Sequence, residues 1–164
     1  MSDRPPDPGS AVKTAAPFEI GIVVADVDRV LPFYRDVLGF AVIGDLEVPA
    51  DRSRRSGLAA DGYRIVRLES SGGDRLKLAQ PGGGGAAGAP AAWAMNRPGG
   101  CYVTFIVEDL AALYARLVQA GTPVRSDGIV LLRAGLRLLL VADPEGNFLE
   151  FLQYDDIDAY RPRN

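Results

Sequence analysis

With 164 residues, 48% of them hydrophobic, the chain holds enough apolar material for one core, or for two small modules that share one. A net charge of −3 and a pI near 5.0 argue against nucleic acid or an anionic membrane surface as partner. No apolar run reaches the roughly 18 residues of a membrane span, and the N-terminus lacks the apolar core of a secretory signal.

The chain contains one cysteine and no histidine. Cys101 has no internal disulfide partner and no histidine to serve as its base, so it reads as a small core residue in a cytoplasmic protein.

Residues 1–16, rich in Pro, Asp and Ser, read as a disordered tail. A first module is expected over 17–80. It opens with a strand at 18–24, after which Asp26 caps a helix whose apolar positions Val27, Val30, Leu31, Tyr34, Val37 and Leu38 recur at helical spacing. Gly39 stops this helix and Pro32 bends it. A strand over 40–48 follows, then a polar basic loop to Asp61 in which Arg52, Arg54 and Arg55 face solvent. Strands at 63–68 and 76–80 form a hairpin through Ser70-Ser71-Gly72-Gly73-Asp74.

The stretch 81–99 has no GxxxxGK[ST] pattern and no following helix, so its glycines are no phosphate loop. It is a connector, or a lid carrying Trp93 and Met95. The second module, 100–154, repeats the order: a strand at 102–107, a helix at 109–120 stopped by Gly121, and strands near 123–129, 136–141 and 148–154. Asp143-Pro144-Glu145-Gly146-Asn147 makes the last turn, and 155–164 is a surface tail.

The two modules repeat one another. Val24-Ala25-Asp26-Val27 aligns with Val107-Glu108-Asp109-Leu110 at an offset of 83 residues, and Arg75 to Gln80 aligns with Phe148 to Gln153 at 73. Glu19 then falls on Tyr102, and Lys77 on Glu150. Alternation along the strands assigns Ile20, Ile22, Leu76, Leu78, Val103, Phe105, Leu149 and Phe151 to the helix side. Glu19, Lys77, Tyr102 and Glu150 lie on the opposite face, a charged cluster among apolar or small neighbours, as in a small-molecule site.

The strings VVADVDRVLPFYRDVLGF, FIVEDLAALYARLVQAG and DPEGNFLEF resemble the vicinal oxygen chelate superfamily, which includes glyoxalase I, extradiol dioxygenases and bleomycin resistance proteins. The resemblance covers about residues 17–154. It implies an α+β fold: two βαβββ modules related by pseudo-two-fold symmetry, a curved mixed sheet enclosing a cavity, and helices outside. It also implies a homodimer. Metal-dependent members carry His, Glu, His and Glu on the cavity face. Here the first His place holds Glu19, the first Glu place Lys77 and the second His place Tyr102; only Glu150 is kept. An ammonium among carboxylates competes with a divalent ion for the same oxygens, so neither metal nor cofactor is expected.

Lys77 then stands in for the ion's charge. Either the charges form an inert network, or they work: Glu19 or Glu150 as general base, Lys77 and the Tyr102 hydroxyl as donors to an oxygen gaining charge. That supports a metal-independent isomerase, epimerase, cyclase or lyase acting on a carbonyl metabolite. The competing reading is a ligand-sequestering resistance protein in which Tyr63, Trp93, Tyr102, Phe148 and Tyr154 offer aromatic surfaces; in either reading Tyr63, Trp93, Thr104, Phe148 and Tyr154 are the expected ligand contacts. A purely structural module whose own side chains fill the cavity is the third.

Overall fold

The computed structural model describes residues 15–84, 92–95, 100–158 and 160. The first βαβββ module comprises β1 (Glu19–Val23), α1 (Val27–Pro32), β2 (Ala41–Val48), β3 (Tyr63–Glu69) and β4 (Arg75–Pro81), with a short helix α2 (Ala50–Ser56) inserted after β2. The second comprises β5 (Val103–Ile106), α3 (Leu110–Gln119), β6 (Val130–Arg133), β7 (Leu136–Ala142) and β8 (Phe148–Tyr154). Each module carries its own four-stranded mixed sheet, ordered β1-β4-β3-β2 and β5-β8-β7-β6.

The repeat extends to the hydrogen bonds that start each helix. Asp26 accepts from the N–H groups of Asp28 and Arg29, and Asp109 from that of Ala112, each capping its helix. The Gln80 side-chain oxygen accepts from Val27 N–H at 2.8 Å, and that of Gln153 from Leu110 N–H at 3.0 Å. Val24 N–H reaches the Ala79 carbonyl, and Val107 N–H that of Leu152. Each glutamine so ties the last strand of its module to the helix start, satisfying an N–H that has no partner within the helix.

One hydrophobic core joins the modules. Val27, Val30 and Tyr34 of the first helical segment, Leu110, Leu113 and Leu117 of α3, and the helix-side residues Leu76, Leu78, Leu149 and Phe151 belong to a single buried cluster. Both helices expose their far side to solvent. Tyr34, Phe40, Phe105 and Phe151 make a chain of ring contacts across the boundary, with centroids 5.3–6.3 Å apart.

The 143–147 turn does more than close the β7–β8 hairpin. The buried Asp143 carboxylate accepts from Tyr34 Oη at 3.0 Å, from the N–H groups of Glu145 and Asn147, and from Asn147 Nδ2. Burial first, and the Asp143 charge second, push the Tyr34 phenol well above its ordinary pKa, so it remains a donor. Glu145 reaches the start of the other module's helix: it accepts from Ala25 N–H at 2.5 Å and Asp26 N–H at 2.9 Å and pairs with Arg29 at 2.8 Å.

Burial alone would raise the Glu145 pKa, but Arg29 and these two N–H groups outweigh it and hold the carboxyl below its ordinary range. A carboxyl depressed in the folded state adds stability above its unfolded pKa and loses it as pH falls through the folded value. Glu145→Gln should therefore destabilise the protein by about 1–2 kcal/mol at neutral pH. In urea titrations at a series of pH values, the gap should close once pH drops below the depressed folded value.

Several sequence expectations need correction. The helix over 27–38 is α-helical only to Pro32 and continues as a wider π-type turn over Phe33–Val37, where Leu38 N–H reaches the Phe33 carbonyl. Pro32, which has no N–H to give, marks the change. The basic loop after β2 contains α2, invisible to apolar periodicity because its three arginines leave no apolar stripe. Ser53 Oγ donates to the Ala59 carbonyl and Arg54 to that of Ala60, and Gly57 at φ +75° stops it. The strand expected near 123–129 is one isolated bridge, Val124 to Val141, followed by a turn at Gly128 with φ +63°. The strand proper is β6. Cys101 is exposed, not core, because it precedes β5 rather than lying in it. The expected tail at 1–16 and connector or lid at 81–99 fall largely outside the described residues.

Candidate ligand-binding site

The parallel pairs β1–β4 and β5–β8 place the functional candidates. Gly21 is the Cα partner of Lys77, and Thr104 that of Glu150, at equivalent points of the two modules. Arg67 of β3 lies directly opposite Lys77. Leu76, Leu78, Leu149 and Phe151 are buried on the helix side, which leaves Lys77 and Glu150 on the other faces.

On the first sheet, Arg67 directs Nε and Nη2 to Glu19 Oε1, and Lys77 Nζ lies 3.4 Å from Glu19 Oε2. The Arg67 hydrogen bond first, with Lys77 adding to it, holds the Glu19 carboxyl below its ordinary pKa. Sequence reasoning missed Arg67. Its signal was its place in the alternation of β3, on the same face as Ile65 and Glu69. Beside it Arg75 Nε pairs with Glu69 at 2.8 Å.

On the second sheet, Thr104 Oγ1 donates to Glu150 Oε2 at 2.7 Å. Tyr102 stands one residue before β5 and is exposed. Among the described residues no ion pair links Lys77 to Glu150; Glu19 with Lys77 and Thr104 with Glu150 are two separate pairs.

The expected ligand contacts are dispersed. Tyr63 lines a cavity of about 620 Å³ at the end of the first sheet, together with Asp28, Glu47, Asp61 and Arg64. Phe148 is buried, and the Arg125 guanidinium lies over its ring at 5.6 Å. Tyr154 stacks on Tyr160 with centroids 4.7 Å apart. Trp93 is exposed. A second cavity, of about 590 Å³, runs between Phe33 and Val37 on one side and Pro123 and Pro144 on the other.

The donor set does not suit a divalent cation. Glu19 is already shared by two cationic side chains, Arg67 and Lys77. Among the described residues no group of three or more His, Cys, Asp or Glu side chains is placed to hold a metal ion.

Tandem βαβββ modules with a shared core, each with polar side chains on its non-helix face, define a duplicated α+β protein. The chain belongs to the Glyoxalase/Bleomycin resistance protein/Dioxygenase superfamily, whose family model matches residues 17–151. Members of this superfamily bind small-molecule ligands.

The fold is similar to that of a glyoxalase family protein from Bacillus cereus, with a TM-score of 0.71 and 22% identity over 88% of this chain and 97% of that one. It is also similar to the trypanothione-dependent glyoxalase I of Leishmania major, with a TM-score of 0.60 and 23% identity over 87% and 88% of the two chains. TnmS3, an antibiotic binding protein from Streptomyces sp. CB03234, shares the fold at a TM-score of 0.59 and 19% identity over 88% and 99%. A search of curated protein sequences finds no match. No helix among the described residues is long and apolar enough to cross a membrane.

Proposed function

We propose that the protein is a metal-independent enzyme that moves a proton on a carbonyl-containing metabolite, as an isomerase, epimerase, cyclase or lyase does. The observation that carries this reading is that the two carboxylates have different partners. Glu19 is held by Arg67 and Lys77 and is a weakened base. Glu150 accepts from the Thr104 hydroxyl at 2.7 Å, a neutral donor that orients it.

In this reading Glu150 takes the proton from the carbon beside the carbonyl. Lys77 and the Tyr102 hydroxyl donate to the carbonyl oxygen as it gains charge. Return of the proton to the other face or a neighbouring carbon completes an epimerisation or isomerisation. Expulsion of a leaving group from the adjacent carbon completes an elimination. Glu19 keeps Lys77 and Arg67 in place. Of the expected aromatic contacts, the exposed Trp93 supplies surface for the ligand, while Phe148 is buried and Tyr154 is stacked on Tyr160.

The same reading makes the protein a homodimer. The edge strands β2 and β6 present apolar side chains to solvent, Val42, Ile43 and Leu46 on β2 and Leu131 and Leu132 on β6. Unpaired edges of this kind are covered by another chain when nothing else covers them. An exposed, unpaired Cys101 suits a cytoplasmic location, and the acidic balance a protein that does not bind nucleic acid.

Sequestration is the second reading, favoured by the exposed Trp93 and by the similarity in fold to an antibiotic binding protein. Native mass spectrometry of the purified protein, with metal analysis and incubation with carbonyl substrates in deuterated water, separates the two. Solvent deuterium entering a substrate carbon without stoichiometric metal is the expected result. A ligand retained one per site and released unchanged would establish sequestration instead.

A further inference from the structure

The first sheet's outer face carries an imbalance that its own side chains do not remove. Arg67, Lys77 and Arg75 face Glu19 and Glu69, three cations against two carboxylates. Arg75 and Glu69 cancel as a pair, and Glu19 takes up the fork of Arg67. Lys77 shares that one carboxylate with Arg67, lying 3.4 Å from Oε2 while both Arg67 contacts go to Oε1, so two cations divide a single negative charge. An ammonium has three donors, and only one of them turns toward Glu19. The Glu19, Arg67 and Lys77 side chains are 20%, 36% and 34% exposed, so the group is reachable yet partly desolvated. Charge-assisted contacts gain strength in such surroundings.

Beside Lys77 the sheet has a notch. Gly21 is its partner in β1, and a Cβ built there meets nothing within 4 Å. In the second module the equivalent place holds Thr104, whose hydroxyl is spent on Glu150. Gly21 has ordinary strand backbone, with no positive φ to require glycine. The notch is therefore open space rather than a conformational necessity. Val23 at 67% exposure provides an apolar wall.

We propose that this notch receives a carboxylate of the ligand, seated over Gly21 with its oxygens on Lys77 Nζ and on the outer N–H groups of Arg67. The substrate is then a carbonyl compound that also bears a carboxylate. The proposal rests on the outer sheet faces being the ligand site, and it adds the class of ligand.

The test uses the full chain and two probes of one shape, 2-naphthoate and its neutral amide, 2-naphthamide, followed by protein NMR. The Gly21 amide and the Arg67 Nε–H should shift with the acid, which should bind about tenfold or more tighter than the amide, an advantage that falls as salt rises. Lys77→Met should abolish the acid's advantage. Gly21→Val, which suits a strand and keeps every charge, should weaken the acid by about tenfold while leaving thermal unfolding near wild type. Equal binding of acid and amide at this face, or an acid preference untouched by both substitutions, overturns the carboxylate assignment alone. Shifts confined to other parts of the molecule overturn the location and the reading it rests on. Neither probe has an acidic C–H, so the outcome is independent of any turnover.

Discussion

Replacing Asp143 by alanine should cost about 3–5 kcal/mol of folding stability, since it removes several buried hydrogen bonds to one carboxylate, each worth about 1.5–3 kcal/mol. The carboxylate is 2% exposed and accepts from Tyr34, Glu145 and Asn147, so its loss leaves the buried Tyr34 hydroxyl without its acceptor and frees the turn that reaches the other module. Tyr34→Phe removes one donor and leaves the others, and should cost about 1–2 kcal/mol. Urea unfolding followed by fluorescence measures both. If Asp143→Ala lowered the transition midpoint no more than Tyr34→Phe does, the turn would be a simple hairpin and the modules would be held by apolar contacts alone. Because one core spans both modules, loss of the contact should shift a single transition rather than split it.

The second large effect concerns chemistry. Glu150→Gln should lower turnover of an identified carbonyl substrate by about 10²–10⁴-fold, the range for removing a general base, while substrate binding changes little. Glutamine keeps the shape and still accepts from Thr104, so a loss of turnover reports the basic oxygen rather than the fold. Glu19→Gln should behave differently. It removes the anion that offsets Arg67 and Lys77, so it should tighten binding of anionic ligands and reduce turnover far less. Full turnover in Glu150→Gln, or a larger loss in Glu19→Gln, would reverse the roles of the two carboxylates. Steady-state kinetics with both variants, on the same substrate and at the same ionic strength, decides.

The two carboxylates are indistinguishable by residue type, and their difference is a matter of neighbours. That Glu19 and Lys77 share a face was legible from the period-two alternation of β1 and β4, which any half-buried strand displays. That Arg67 would close on Glu19 was not. It depends on the register between β3 and β4, which sets Arg67 opposite Lys77 and which no local pattern encodes. In the same way the turn Asp143-Pro144-Glu145-Gly146-Asn147 announced itself as a turn. Its second task, receiving Tyr34 and the start of α1, joins residues more than a hundred positions apart.

What the chain determined on its own were the features carried by short-range physics: the two copies of one module, the capped helices Asp26 and Asp109 begin, and the sorting of Leu76, Leu78, Leu149 and Phe151 away from Lys77 and Glu150. Tertiary structure alone decided what depends on distant partners. It set Arg67 and Lys77 on Glu19 and Thr104 on Glu150, left a notch over Gly21, folded the arginine-rich segment after β2 into a helix, and placed the last turn against the first helix. The physical reason is one of range. Periodicity and capping are energies between residues a few positions apart, whereas the charge state of a carboxylate is fixed by whichever groups the completed fold brings within hydrogen-bonding distance of it.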